Sequence, residues 1–195
     1  LLIGALLVVL ALGAFLFNAR AVLISLVAIP LSLTAALLVL DARGSTLNTM
    51  VLAGLVIALG VVVDDAIVDV ENVMRRLRRE RSEGRSTPTS AVIVEAWLEL
   101  RRVVVYGTII IVLPLLPVFF MTGVSGRLFR PLALSYVLAV LASFVVALTV
   151  TPALSALLLS KERVGIRESP LVAWLQRGYG SALDRILRRP SPVLV

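Results

Sequence analysis

Charged residues are rare along this chain, and the gaps between them have a characteristic length. Residues 1–17, 21–40, 44–63, 103–126 and 131–160 form runs without a single Asp, Glu, Lys or Arg. A helix that crosses the hydrocarbon of a bilayer needs about 20 predominantly apolar residues, within a range of about 17–25. Five such runs predict five membrane helices, at about 1–17, 21–41, 47–75, 101–122 and 131–160. Pro30, Pro114, Pro117 and Pro152 fall inside the runs. Proline is tolerated in membrane helices, so these positions read as kinks, with Pro114 and Pro117 as a candidate hinge.

Composition points the same way. Of the 195 residues, 59% are hydrophobic and 16% charged, against about 45–50% and 25% in soluble domains. The predicted fold class is therefore an all-α membrane protein. The chain has no cysteine and no histidine, so the commonest transition-metal ligand is absent. It opens inside one apolar run and closes, at 192–195, on what looks like the start of another. Both ends are expected to be cuts in a longer polypeptide.

The net charge of +7 would suggest nucleic acid in a soluble protein. Here the basic residues sit between the apolar runs, so they read as orientation signals and no nucleic-acid partner is expected. Alternate connections differ sharply. The first holds Arg20, the third holds eight arginines between Arg75 and Arg102, and the last holds seven basic residues. Together these carry sixteen of the nineteen Lys and Arg. The second and fourth hold only Arg43, Arg127 and Arg130. Cytoplasmic loops collect the basic excess, so the third connection and the tail are expected in the cytoplasm. Within the tail, Leu171, Trp174 or Leu175, Tyr179, Leu183 and Ile186 recur at helical spacing among arginines. Residues 161–195 are therefore read as a cytoplasmic amphipathic helix suited to the membrane surface, followed by the start of the next span.

The third run leads into acidic residues while it is still inside the membrane. Asp64 lies 16 residues after Asn48, about 24 Å along a helix, and Arg75 lies about 17 Å further on. The Asp64–Asp65 pair is thus placed in the inner half of the hydrocarbon. Aspartate is too short to snorkel, and one at a helix centre costs about 2.5–3.5 kcal/mol on insertion scales. Ionisable groups at such depth mark proton relays or ion sites. Adjacent side chains diverge by about 100°, so the two carboxyls cannot face one another, though both can serve one cavity or one cation. Gly60, one turn earlier, is expected to let a neighbouring helix approach. Asp69 and Glu71 read as surface residues paired with Arg75 or Arg76, and Asn72 as a polar helix-end residue. A buried Asp pair needs a compensating cation. The single lysine, Lys161, lies in the tail and no arginine interrupts an apolar run, so that cation is expected from another part of the protein.

Gly54-Leu-Val-Ile-Ala-Leu-Gly-Val-Val-Val-Asp-Asp-Ala-Ile-Val-Asp-Val-Glu-Asn72 resembles the fourth membrane helix of the resistance-nodulation-division (RND) efflux permeases. Asn18-Ala-Arg-Ala-Val-Leu-Ile24, Thr46-Leu-Asn-Thr-Met50, Gly126-Arg-Leu-Phe-Arg-Pro-Leu-Ala133 and Leu148-Thr-Val-Thr-Pro-Ala-Leu154 resemble further segments of that family, in the family's order. The resemblance implies helices two to six of the N-terminal half of a permease several times longer. It implies substrate/proton antiport in the bacterial inner membrane, driven by the proton motive force without a cofactor. Asp64 and Asp65 would then be the proton relay, with a lysine counter-charge from the other half of the same permease. It further implies a homotrimer working with a periplasmic adaptor and an outer-membrane channel. The Asp-Asp pair looks like the drug-exporting branch, while the segments at 72–77 and 126–131 look more like the heavy-metal branch. Met50 and Met121 read as packing residues, and no metal ligand set is expected. A related exporter of protein or lipid is the alternative reading. An intramembrane aspartyl protease is a remote one, because that chemistry needs facing carboxyls and both acids here share one helix. In isolation the piece is expected to transport nothing.

Overall fold

The computed structural model describes residues 10, 12–13, 18–84, 88–159 and 178–179. Helix α1 covers Ala19–Ala42. It starts where the Asn18 side chain accepts from the backbone N–H groups of Arg20, at 2.9 Å, and Ala21, at 3.3 Å. It ends at Gly44, whose φ of 68° is a conformation that glycine adopts without steric cost. Helix α2, Thr49–Ser82, is capped in the same way by Asn48, which accepts from the Val51 N–H at 2.9 Å. Helix α3 covers Thr89–Val112. Pro114 and Pro117 remove two N–H donors, and the chain there tightens into a 3₁₀ turn, Leu113–Leu115, before the short helix α4, Leu116–Phe120. Helix α5, Gly123–Leu159, completes the bundle.

Four helical segments are long and apolar enough to cross a membrane: Ala19–Ala42, Thr49–Glu80, Thr89–Phe120 and Gly123–Leu159. No strand occurs among the described residues, and the chain is an all-α, multi-pass membrane protein. The span expected at 1–17 lies almost wholly outside the described residues, although Leu12 is fully buried in the core. The surface helix expected at 161–195 also lies outside them, apart from helical Gly178 and Tyr179.

Two boundaries differ from the sequence reading. The arginine-rich connection is mostly a helical hairpin, because α2 runs on to Ser82 and α3 begins at Thr89 rather than near 101. Val70, Val73, Met74 and Leu77 of α2 bury against Val92, Ile93 and Ala96 of α3, so apolar packing continues past the membrane stretch. Charge follows it: the Arg76 guanidinium donates to Glu99 at 2.7 Å and lies 3.9 Å from Glu95. At the other end, α5 begins at Gly123 rather than near 131. Gly126 packs against the Met121 carbonyl, which also accepts from Arg130 Nη2 at 2.9 Å.

Small side chains build the bundle. On α5, Ser135, Ala139, Ser143, Ala147, Thr151 and Ser155 repeat every four residues, and all are buried. On α1, Ala21, Ser25, Ala28, Ser32 and Ala36 form a matching stripe. Small residues let backbones approach, which is how helices associate where the solvent is itself apolar. Helix α2 lies against both. Ser25 Oγ donates to the Ala66 carbonyl at 3.1 Å. Gly54 meets the Leu132 carbonyl and Ser135 Oγ so closely that a Cβ there would overlap both.

Candidate functional site: carboxylates in the α2–α5 seam

Helices α2 and α5 run side by side in the same direction. Gly54 meets Leu132 and Ser135, and eleven residues on, Asp65 meets Ser143. A constant offset of about 78 residues between the two helices is what parallel helices of equal rise produce. Ser143 Oγ donates to Asp65 Oδ2 at 3.4 Å, a long bond. Asp65 is thereby half-buried in the seam, while Asp64 is exposed. Adjacent positions diverge by about 100°, and the bundle separates them accordingly: one carboxyl is held against α5, the other stands on an uncovered face of α2. Gly60 shares that exposed face, with nothing within 4 Å of a Cβ built on it. The close approach that the sequence reading assigns to Gly60 is made by Gly54 among the described residues.

Two further polar positions depart from the sequence reading. Asp69 is 8% exposed and makes no ion pair with Arg75 or Arg76. It sits three residues after Ala66 and four before Val73, both buried, and so occupies a core position of α2. Asn72, 5% exposed, is a cross-link rather than a helix end. Its Nδ2 donates to the Ala96 carbonyl of α3 at 3.2 Å, and its Oδ1 accepts from Arg75 Nη2 at 2.7 Å. Glu71 lies 4.0 Å from Arg78. Among the described residues no basic side chain forms a salt bridge with Asp64, Asp65 or Asp69. No cluster of three or more His, Cys, Asp or Glu able to hold a metal ion occurs among them either.

The arrangement is a carboxyl in a helix–helix seam with one hydroxyl donor, a second carboxyl on an open face, and a third buried one turn further along. Such groups can bind and release protons. With one acid per level and no facing acid among the described residues, they do not form by themselves the shared-proton pair of an aspartyl protease.

The family described as AcrB/AcrD/AcrF matches this chain over residues 1–195. The chain is 36% identical to the cobalt-zinc-cadmium resistance protein CzcA of Cupriavidus metallidurans, over 100% of its own length and 18% of that protein. It is 38% identical to the multidrug resistance protein MdtC of Salmonella typhi, over 96% of its length and 18% of that protein. It is 39% identical to the swarming motility protein SwrC of Bacillus subtilis, over 83% of its length and 15% of that protein. The chain thus spans less than a fifth of the curated relatives it matches. Membrane helices, seam carboxylates and whole-length similarity agree: the chain belongs to the AcrB/AcrD/AcrF family, the RND efflux permeases of the heavy-metal and drug branches.

Proposed function

We propose that this chain is the proton-coupling part of a permease that exports metal cations or drugs across the bacterial inner membrane in exchange for protons. The observation that carries the reading is the position of Asp64 and Asp65 on a membrane helix, with no basic partner among the described residues. Asp65 is gripped by α5 through Ser143, so protonation there changes a contact between two helices. Asp64 stands on the open face of α2 and is available to a counter-charge from elsewhere. A lysine from the other half of the permease supplies it in this reading, and the relay consists of Asp64, Asp65 and that lysine. No cofactor enters, because the proton motive force drives the cycle. The names of CzcA and MdtC support metals or drugs as cargo. A homotrimer joined to a periplasmic adaptor and an outer-membrane channel is the assembly proposed with it.

The test uses the full-length permease in a pump-deficient host. Wild type, Asp64→Asn and Asp65→Asn are compared at equal expression for survival against metal salts, dyes and antibiotics. Protection by wild type and loss in both variants is the expected outcome, and the protective panel names the cargo. Protection by all three would make the carboxyls structural and end the proton-relay reading.

A further inference from the structure

Asp69 has no role in the pair, yet it is one of two buried polar side chains, with Asn72, in the inner half of α2. Asn72 is bonded on both sides, whereas Asp69 has no hydrogen bond or ion pair among the described residues. Its carboxyl oxygens are not among the fully enclosed unpaired atoms, so they keep a narrow access, and a carboxyl so nearly removed from water without a partner is costly. A core position between Ala66 and Val73 would accept an apolar residue without that cost. Its surroundings show where it leads. Asp65 lies one turn toward the membrane centre, about 6 Å along the helix. By the parallel register, the α5 stripe residue level with Asp69 is Ala147, which offers no side-chain hydrogen bond where Asp65 has Ser143. Two turns further along the same stripe, Ser155 Oγ is buried without a partner, and so is Nε of Arg78 on α2. These are the two buried side-chain polar atoms left unpaired among the described residues, and both lie toward the arginine-rich end of the bundle. Buried polar atoms without protein partners are the usual sites of ordered water.

We propose that Asp69 is a third proton carrier, placed between the Asp64–Asp65 pair and the cytoplasm, so that protons leave along the inner half of the α2–α5 seam. The inference rests on the proton-relay reading of the pair. In the step itself, the O–H bond of protonated Asp65 breaks. Its proton passes, directly or through one water, to the Asp69 carboxylate, where a new O–H bond forms. Asp65 is left anionic, and Asp69 then gives the proton to water on its cytoplasmic side. No oxidant or reductant is needed. The charged groups around Asp69 fit a passage of this kind. On its own helix they are Asp64, Asp65, Glu71, Arg75, Arg76 and Arg78. On α3, Glu95 and Glu99 are engaged by Arg76. On α1, Arg20 donates to the Leu158 carbonyl. Beyond Arg130, α5 carries no ionisable side chain except Tyr136.

The test is substrate-driven proton flux in vesicles holding the full-length permease, for wild type, Asp65→Asn, Asp69→Asn and Asp69→Glu, with assembly checked by gel filtration. The inference expects flux in Asp69→Asn to fall by about a hundredfold, the lower end of the range for a lost proton-transfer group. It expects Asp69→Glu to recover most of that flux, together with the wild-type dependence on pH at the cytoplasmic face. Flux near wild type in Asp69→Asn beside a dead Asp65→Asn would overturn the inference and leave the pair's role standing. Equal loss in Asp69→Asn and Asp69→Glu would make Asp69 structural and overturn it too. A fully active Asp65→Asn would remove the reading on which it rests. Infrared difference spectra on a pH step give a second readout that does not need transport. In the Asp64→Asn, Asp65→Asn double variant, adding Asp69→Asn should remove one component of the protonated-carboxyl band and leave that of the other acids. No difference between the double and the triple variant would count against Asp69.

Discussion

The two ends of the α2–α5 seam are built from the same small-residue stripe and yet behave oppositely. Toward the α1–α2 turn, Gly54 presses on the backbone of α5, and Leu55, Ala58, Ala139 and Val140 close an apolar cluster. Toward the arginine-rich end, the same stripe of α5 meets Asp65 through a long bond from Ser143 and carries an unpaired hydroxyl at Ser155. Backbone-to-backbone contact leaves no room for water and cannot adjust to a change of charge. A seam lined by short polar groups can do both. The comparison teaches that the first end holds the helices together, while the second is where a proton changes how they meet.

The strongest way to break this contrast is to neutralise the polar end. Asp65→Asn keeps the shape and removes the proton site. Transport by the full-length permease should fall by at least about a hundredfold, within the range for loss of a proton-transfer group, with the thermal unfolding temperature nearly unchanged. If unfolding shifts while transport persists, the polar end is structural and the contrast is void.

The converse is a methyl group at the packed end. Gly54→Ala places a Cβ where Leu132 and Ser135 already are. Separating the two backbones should cost about 1–3 kcal/mol, as overpacked cores do, read as a lowered unfolding temperature in detergent. Gly60→Ala adds its methyl to open space and should stay within about 0.5 kcal/mol. A Gly60→Ala penalty equal to that of Gly54→Ala would show that the Asp64 face is covered as tightly as the α5 seam.

The cross-link beyond the polar end tests how far the difference extends. Asn72→Ala leaves the Ala96 carbonyl and the Arg75 guanidinium without their shared partner. A loss of about 1–2 kcal/mol is expected, the scale of unpairing buried polar groups. Transport per folded molecule should stay close to wild type, because Asn72 ties the α2–α3 hairpin and carries no proton.

Much of this was legible in the sequence, for definite reasons. Uncharged runs of bilayer length announce helices, because an exposed charge in hydrocarbon is costly. The same cost made Asp64 and Asp65 stand out. What could not be read was which face of α2 is covered. Asp69 is followed closely by arginines, and a reading along the chain pairs it with them. In three dimensions the 3–4 spacing from Ala66 to Val73 turns it into the core. The four-residue repeat of Ser, Ala and Thr from Ser135 to Ser155 was the available signal, since it marks the α5 face against which α2 packs. Gly60 differs from Gly54 for the same reason: among the described residues the turn that faces α5 is the one carrying Gly54, while Gly60 lies on the open face with Asp64. The helical hairpin past the membrane was hidden because arginine density reads as a loop, while Val70, Val73, Leu77, Val92 and Ile93 kept the apolar period going underneath.

The smallest expected effect is also the most specific. Ser143→Ala removes the one side-chain donor that α5 offers to Asp65 and leaves the small stripe intact. The bond is long, at 3.4 Å, and side-chain hydrogen bonds between membrane helices average about 0.6 kcal/mol. Transport should therefore change by about threefold, without loss of fold, and Ser143→Thr should retain most of the wild-type rate. Because the hydroxyl donates to the carboxylate form of Asp65, its loss favours the protonated form. The pH at which transport is half-maximal should accordingly move upward in Ser143→Ala. No movement, or a movement downward, would mean that α5 does not sense the charge on Asp65, and that the polar end of the seam is merely a place where α2 and α5 happen to pack loosely.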